Sequence, residues 1–382
     1  MNLQDQPEIS KGRKRRPWVV ALPLAIVVLI AAAWSAFWFY AASATETVLA
    51  DWRAREAALG RYYRCGSETV GGFPFRFELR CSDPSAEFKA SNPPAALKAK
   101  DFAVVAQVWQ PMLLIGELVG PLMIGETGAP PALSLNWSLA QASLRGLPLA
   151  PERASVAIDH LALAEVSGSA QNLLASVGRL ELHGRLASGT ARENPVLDLV
   201  ANLSQASAAR LGELAAVPFD ADIEGVLLGL RNLSPRSWVE TLRALQAAHG
   251  QLQITRARVR QGDVVAVGAG TLRLSPRGAL DGELQLTVVN IEKLLPVLGI
   301  DKLVTGLVPQ GTLDRLAPGL DRLVPGLGGV LRGNAPAAKA GIDALGSRTE
   351  LEGKSAVTVP LRFSDGAVLL GPFRLTNIPP LY

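Results

Sequence analysis

The sequence predicts a mainly β fold with a few helices: one N-terminal transmembrane helix followed by a curved antiparallel sheet. Three observations predict it. A charge-free run extends from Pro17 to Thr45, short segments of alternating apolar and polar residues recur over most of the rest, and glycines punctuate those segments at short intervals. Alternation at period two marks strands with one buried face, and short strands with glycine turns argue sequential antiparallel pairing rather than βαβ units. At 382 residues the chain is long enough to bury a substantial core. Residues are 48% hydrophobic but only 5% aromatic, so leucine, valine and alanine supply most of that core.

Residues 1–17 read as a basic cytoplasmic tail carrying Lys11, Arg13, Lys14, Arg15 and Arg16. With Asp5 and Glu8 counted, the tail carries +3 of the formal net charge of +4, and the remainder is close to neutral. A nucleic-acid binder needs its positive charge on the folded body, so nucleic acid is not an expected partner. Residues 18–42 read as the transmembrane helix, because about 20 apolar residues span a bilayer core. Basic residues immediately before a span stay on the cytoplasmic side. Trp18 at one end and Trp34, Trp38 and Tyr40 at the other read as interfacial aromatic anchors. The rival reading is a signal peptide cleaved after Ala42-Ser43-Ala44, but a cleavable apolar region runs only about 7–15 residues. The expected placement is therefore an inner membrane, single-pass, with the N-terminus cytoplasmic and the bulk periplasmic. Phe102–Gly125 is also apolar, yet Gln107, Gln110, Pro111, Glu117 and Pro121 disfavour a second span.

Residues 43–62 read as a stalk helix, with Val48, Leu49, Trp52, Ala58 and Leu59 near helical spacing and Gly60 at its end. It is either a spacer packed on the domain or an amphipathic helix lying on the membrane. Residues 63–382 form the expected periplasmic β-rich domain. Its first strand is read from Gly71 to Cys81, where Phe73, Phe75, Phe77, Leu79 and Cys81 alternate with Pro74, Arg76, Glu78 and Arg80. Cys65 and Cys81 are too far apart for a C-x-x-C motif. In an oxidising compartment a disulfide is the natural state of such a lone pair, stabilising by roughly 3 kcal/mol; two buried free thiols are the alternative.

Further strands are read at 133–139, 156–164, 180–182, 196–203, 252–254, 272–274 and 284–288. Ser234-Pro235 offers a cap and first-turn proline for a helix over Trp238–Ala248, and a shorter helix near Ala206–Ala215 is a candidate. Residues 291–346 read as a Pro/Gly-rich amphipathic insertion, in which Leu313–Gly319 is repeated almost identically as Leu320–Gly326. It is either a lid touching lipid or a partner, or a plain insertion between strands. Val357–Phe363 and Ala367–Leu375 close the chain as a hairpin turned at Ser364-Asp365-Gly366.

No constellation for chemistry stands out. His160, His183 and His249 are isolated in sequence, and no metal-ligand spacing, G-x-S-x-G elbow, Walker loop or dinucleotide fingerprint occurs. Asp159-His160 could begin a triad, but no serine is marked out beside it. The expectation is a non-enzyme with no cofactor and no metal.

The order of these features resembles an uncharacterised proteobacterial family, domain of unknown function 2125 (DUF2125). The likeness rests on the basic tail and span, Gly71–Phe77 followed by Cys81, Gln110-Pro111 before Gly120-Pro121, and the Asp365-Gly366…Leu370-Gly371-Pro372 hairpin. It implies a fold and a topology but no catalytic residues. More loosely, Gly270–Leu274 and Gly278–Leu284 look like the strand–glycine–strand rhythm of AsmA-like envelope proteins. That likeness implies a single-span β-rich meander linked to outer-membrane homeostasis and lipid traffic. Two functions follow as expectations: binding of membrane lipids on an apolar sheet face, or assembly by docking another envelope protein.

Overall fold

The computed structural model describes residues 18–147, 150–234, 237–293, 346–370 and 373–382. The basic tail with Lys11, Arg13, Lys14, Arg15 and Arg16 lies outside the described residues, as do 294–345 of the expected insertion, including its seven-residue repeat.

Helix α1 runs unbroken over Trp18–Ala58, 41 residues. The stretches read over 18–42 and 43–62 are one continuous helix that ends at Ala58 rather than residue 62, and Arg61 already begins a strand. It is the one helix among the described residues long and apolar enough to cross a membrane. Leu22, Leu24, Ile26, Val27, Val28, Leu29 and Ile30 are all exposed, so apolar groups point outward around its first half, as expected of a span rather than a core helix.

The described residues beyond α1 form twenty-one strands in one sheet. The first ten are β1 (Arg61–Arg64), β2 (Ser67–Gly71), β3 (Arg76–Ser82), β4 (Ser85–Phe88), β5 (Ala95–Lys98), β6 (Asp101–Gln107), β7 (Gln110–Val119), β8 (Leu122–Glu126), β9 (Leu133–Asn136) and β10 (Leu139–Arg145). They are halves of five longer runs. β1 pairs with β4 while β2 pairs with β3; β4 pairs with β5 while β3 pairs with β6; β5 and β6 pair with β8 and β7, and these with β9 and β10. Both halves join the long strand β11 (Arg153–Ser167), β9 at its far half and β10 at its near half.

The interruptions line up across the sheet at Gly66, Asp83, Lys100, Gly120, Ser138 and His160. Backbone bonds still cross there: Gly66 donates to the Ser82 carbonyl, Asp83 to Lys100, Lys100 to Val119, and Ser138 to Asp159. Asp83 and His160 take positive φ, 49° and 54°, and Pro84 and Pro121, which lack a ladder donor, follow breaks. At Gly120 an added Cβ would lie 3.3 Å from the Trp137 ring, whose indole N–H donates to the Leu118 carbonyl at 2.8 Å. The glycine makes room for that indole.

Beyond β11, strands β12 (Ala170–Thr190), β13 (Glu193–Ala206), β14 (Phe219–Leu228), β15 (Gln251–Gln261), β16 (Val264–Leu274) and β17 (Leu280–Val289) pair in succession. Next, β19 (Lys354–Ser364) pairs with β17 on one side and with β18 (Ser347–Leu351) and β20 (Ala367–Leu370) on the other; β20 pairs with β21 (Phe373–Asn377). The best-buried core lies here, where Val288, Ile291, Val357, Val359 and Leu370 cluster on one face and Val265, Val289 and Ala356 on the other.

The fold is mainly β with few helices, but the curved AsmA-like meander expected from the sequence is not what forms. The sheet is neither curled nor closed: among the described residues no ladder joins the β1/β2 side to the β18/β21 side. The physical reason is legible at the edges, where β1 (RYYR) and β18 (SRTEL) carry charged side chains that oppose edge-to-edge pairing.

Three local expectations also change. The strand read from Gly71 to Cys81 begins only at Arg76, with 73–75 in a turn. Helix α3 (Trp238–Ala247) is capped by Ser237, which receives the Glu240 N–H while the Glu240 carboxylate accepts the Ser237 N–H, a capping box, rather than by Ser234. The candidate helix near 206–215 is one 3₁₀ turn, Ala209–Leu211, followed by the single turn α2 (Glu213–Ala216).

Candidate functional site

The sheet's two faces differ chemically over most of their width. One line of directly paired residues runs Val70, Leu79, Val104, Gly116, Ala142, Val156, Leu182, Ala201, Ile223, Ala257, Gly268, Leu286 and Val359. Every member is apolar. The line one residue over, on the opposite face, runs Thr69, Arg80, Ala103, Glu117, Gln141, Ala157, Glu181, Asn202, Asp222, Arg258, Val267, Thr287 and Thr358. That face is braced by ion pairs, Arg179 to Asp159 at 2.8 Å, Arg185 to Asp198 at 2.8 Å, Arg260 to Asp220 at 2.6 Å, and Arg362 to Glu283 at 2.9 Å, and turns apolar where Val265, Val289 and Ala356 are buried. The hydrogen bond from Arg179 holds the Glu181 carboxyl below its ordinary range.

On the apolar face, an open trough of about 400 Å³ lies over β11–β15, lined by Val156, Leu182, Leu199, Ala201, Ile223 and Leu252. Leu182 remains 42% exposed and Val259 36%. A second apolar cavity, about 340 Å³, lies between the later half of α1 and strands β1–β8, lined by Leu49, Trp52, Tyr63, Leu79, Phe102 and Leu118. Trp52 stacks on Tyr63 with ring centroids 4.8 Å apart, and burial pushes the Tyr63 phenol's pKa up. At its rim Arg53 pairs with Glu68, and Cys65 and Cys81 are joined with Cα atoms 5.4 Å apart. Cys81 is buried and Cys65 lies within 3.6 Å of the Arg53 guanidinium.

Of the aromatic anchors, Trp18 and Tyr40 are 78% and 72% exposed. Trp34 and Trp38 instead turn toward the domain: their indole N–H groups donate to the Pro74 carbonyl at 2.9 Å and the Arg76 carbonyl at 3.1 Å. Trp38 is 4% exposed, stacked on Phe77 and edge-on to Phe73, each at 5.5 Å. Alternation over 73–77 signalled these phenylalanines, but nothing local signalled their partner on a helix some forty residues earlier.

The Asp159-His160 pair does meet a serine. His160 Nδ1 lies 3.1 Å from Ser138 Oγ, but the Asp159 carboxylate is turned to Arg179, so these residues do not assemble a triad. Among the described residues no group of three or more His, Cys, Asp or Glu side chains could hold a metal ion.

A family model described as "Uncharacterized protein conserved in bacteria (DUF2125)" matches residues 38–379. No curated protein and no solved structure matches the chain, and the looser likeness to AsmA-like proteins gains no support from these comparisons.

Proposed function

The chain belongs to the DUF2125 family of bacterial proteins, and on that premise we propose that it is an inner-membrane-anchored periplasmic protein that holds lipid acyl chains against the apolar face of its sheet. The observation that carries this reading is the unbroken apolar line from Val70 to Val359, opening into the trough around Leu182, Leu199 and Ile223. An acyl chain needs no hydrogen-bond partner, and a surface of Leu, Val, Ile, Ala and Gly side chains offers none. Burial against such a surface is worth about 25 cal/mol per Å² removed from water. The topology is supported by the basic residues directly before α1, which the positive-inside rule keeps cytoplasmic, and by the Cys65–Cys81 bond, suited to an oxidising compartment.

A photo-crosslinking amino acid at Leu182 in the full chain, activated in intact cells and read by mass spectrometry, tests it. A phospholipid or fatty-acyl adduct is the expected product. A protein adduct would instead favour an assembly factor docking another envelope protein, and an adduct to the chain's own residues 294–345 would show the trough to be self-covered.

A further inference from the structure

The turns beside α1 carry an exposed aromatic surface that neither the span nor the sheet face uses. Phe73 is 48% exposed, Phe75 62% and Trp109 64%. Phe75 and Trp109 lie 6.5 Å apart across two turns, 72–75 and 108–109, that the Val108 N–H ties together by donating to the Phe75 carbonyl. Phe37, Phe39 and Tyr40 on the helix are 54%, 62% and 72% exposed at the same level, and Phe39 stacks on Phe73 at 5.7 Å. Water-exposed aromatics on two separate turns and a helix, gathered at one height, are costly unless something apolar covers them.

The length of the span says what that is. Arg15 and Arg16 precede Pro17, so hydrocarbon cannot begin much before Trp18. From Trp18 to Trp34 the helix rises only about 25 Å at 1.5 Å per residue, whereas a bilayer core is about 30 Å thick. The apolar slab must therefore extend to roughly Phe37 or Trp38. By that level α1 is already clamped to the domain through Trp34 and Pro74 and through Trp38 and Arg76. The helix and the turn cannot sit at different depths. Arg76, the first charged residue after the turn, has a half-exposed side chain paired with Glu78 at 2.8 Å, where lipid headgroups would solvate it.

We infer that Phe73, Phe75 and Trp109 are seated in the outer interface of the same bilayer that α1 spans, so that the domain is held at a set height and orientation by three points rather than swinging from one helix. Aromatic rings favour that depth because their apolar bodies meet acyl chains while indole N–H groups stay wet. The inference rests on α1 spanning a membrane, and the test separates the two.

The full chain, labelled biosynthetically with fluorotryptophan, is placed in phosphatidylcholine/phosphatidylglycerol nanodiscs and followed by fluorine NMR, with Trp18→Phe, Trp109→Phe and Trp137→Phe variants assigning those three resonances. A nitroxide high on the lipid acyl chain is expected to broaden Trp109 and Trp18, and to broaden Trp109 more than a water-soluble paramagnetic chelate does. Trp137, bonded to Leu118 at the sheet interruption, is the reference that lipid nitroxide leaves sharp. Trp18 broadened by lipid with Trp109 broadened only by the soluble agent would overturn the inference and leave the span standing. Both resonances untouched by lipid nitroxide would overturn the span reading and the inference with it.

Discussion

Replacing Trp38 probes the joint between helix and domain, and two substitutions separate its parts. Trp38 is 4% exposed, its ring lies between Phe77 and Phe73, and its N–H bonds the Arg76 carbonyl at 3.1 Å. Trp38→Phe keeps most of the ring contact and removes the donor, leaving that carbonyl one partner short at a cost of about 1 kcal/mol. Trp38→Ala removes the ring as well. Truncating a buried aromatic to alanine costs about 3–5 kcal/mol, since neighbouring rings only partly collapse into the space. The assay is chemical denaturation of the full chain in mild detergent, followed by far-ultraviolet circular dichroism so that the lost indole does not alter the signal. The order expected is wild type, then Phe, then Ala, with the second gap larger than the first. Should the alanine variant unfold within about 1 kcal/mol of wild type, well below the usual cost of such a truncation, the Trp38 contact is not part of the cooperative fold.

Two further outcomes follow from the geometry. Cys65→Ala with Cys81→Ala should lower stability by about 3 kcal/mol, because the crosslink restrains the loop it closes in the unfolded chain; an unchanged denaturant midpoint under non-reducing conditions would contradict this. The Asp220 carboxyl is held below its ordinary value first by the Gln205 backbone N–H and then by Arg260. Folded protein therefore binds fewer protons there than unfolded chain, so the stabilisation is present above the unfolded carboxylate value of about 3.9 and is lost as pH falls through the lowered folded one. Arg260→Gln should raise the Asp220 pKa only part of the way, since the Gln205 donor remains, and a selective carboxyl-carbon titration that finds no movement would refute the assignment.

Much of the architecture was legible in local pattern. The charge-free run marked the long apolar helix because hydropathy sums along a chain without reference to anything else. Alternation at 180–182 and 196–203 marked β12 and β13 because residues on one face of a strand are two apart whatever its neighbours. Helix α3 was legible in its periodicity, although its cap moved from Ser234 to Ser237, since several serines near a helix start can each reach an N–H. By contrast, alternation over 71–81 read as one strand and concealed the turn at 73–75. A period-two pattern of phenylalanines is the same whether the rings face a sheet core or a helix from far earlier in the chain.

Local pattern was enough to show which side of many strands is apolar, where the long apolar helix lies, and that Cys65 and Cys81 are the one cysteine pair. The open sheet, the alignment of its breaks from Gly66 to His160, and the burial of Trp38 against Phe77 came instead from tertiary contacts. The physical reason is the range of the interactions: hydropathy and side-chain alternation are properties of neighbouring residues. Register, edge exposure and ring packing depend on which distant segments meet, and no local pattern encodes that meeting.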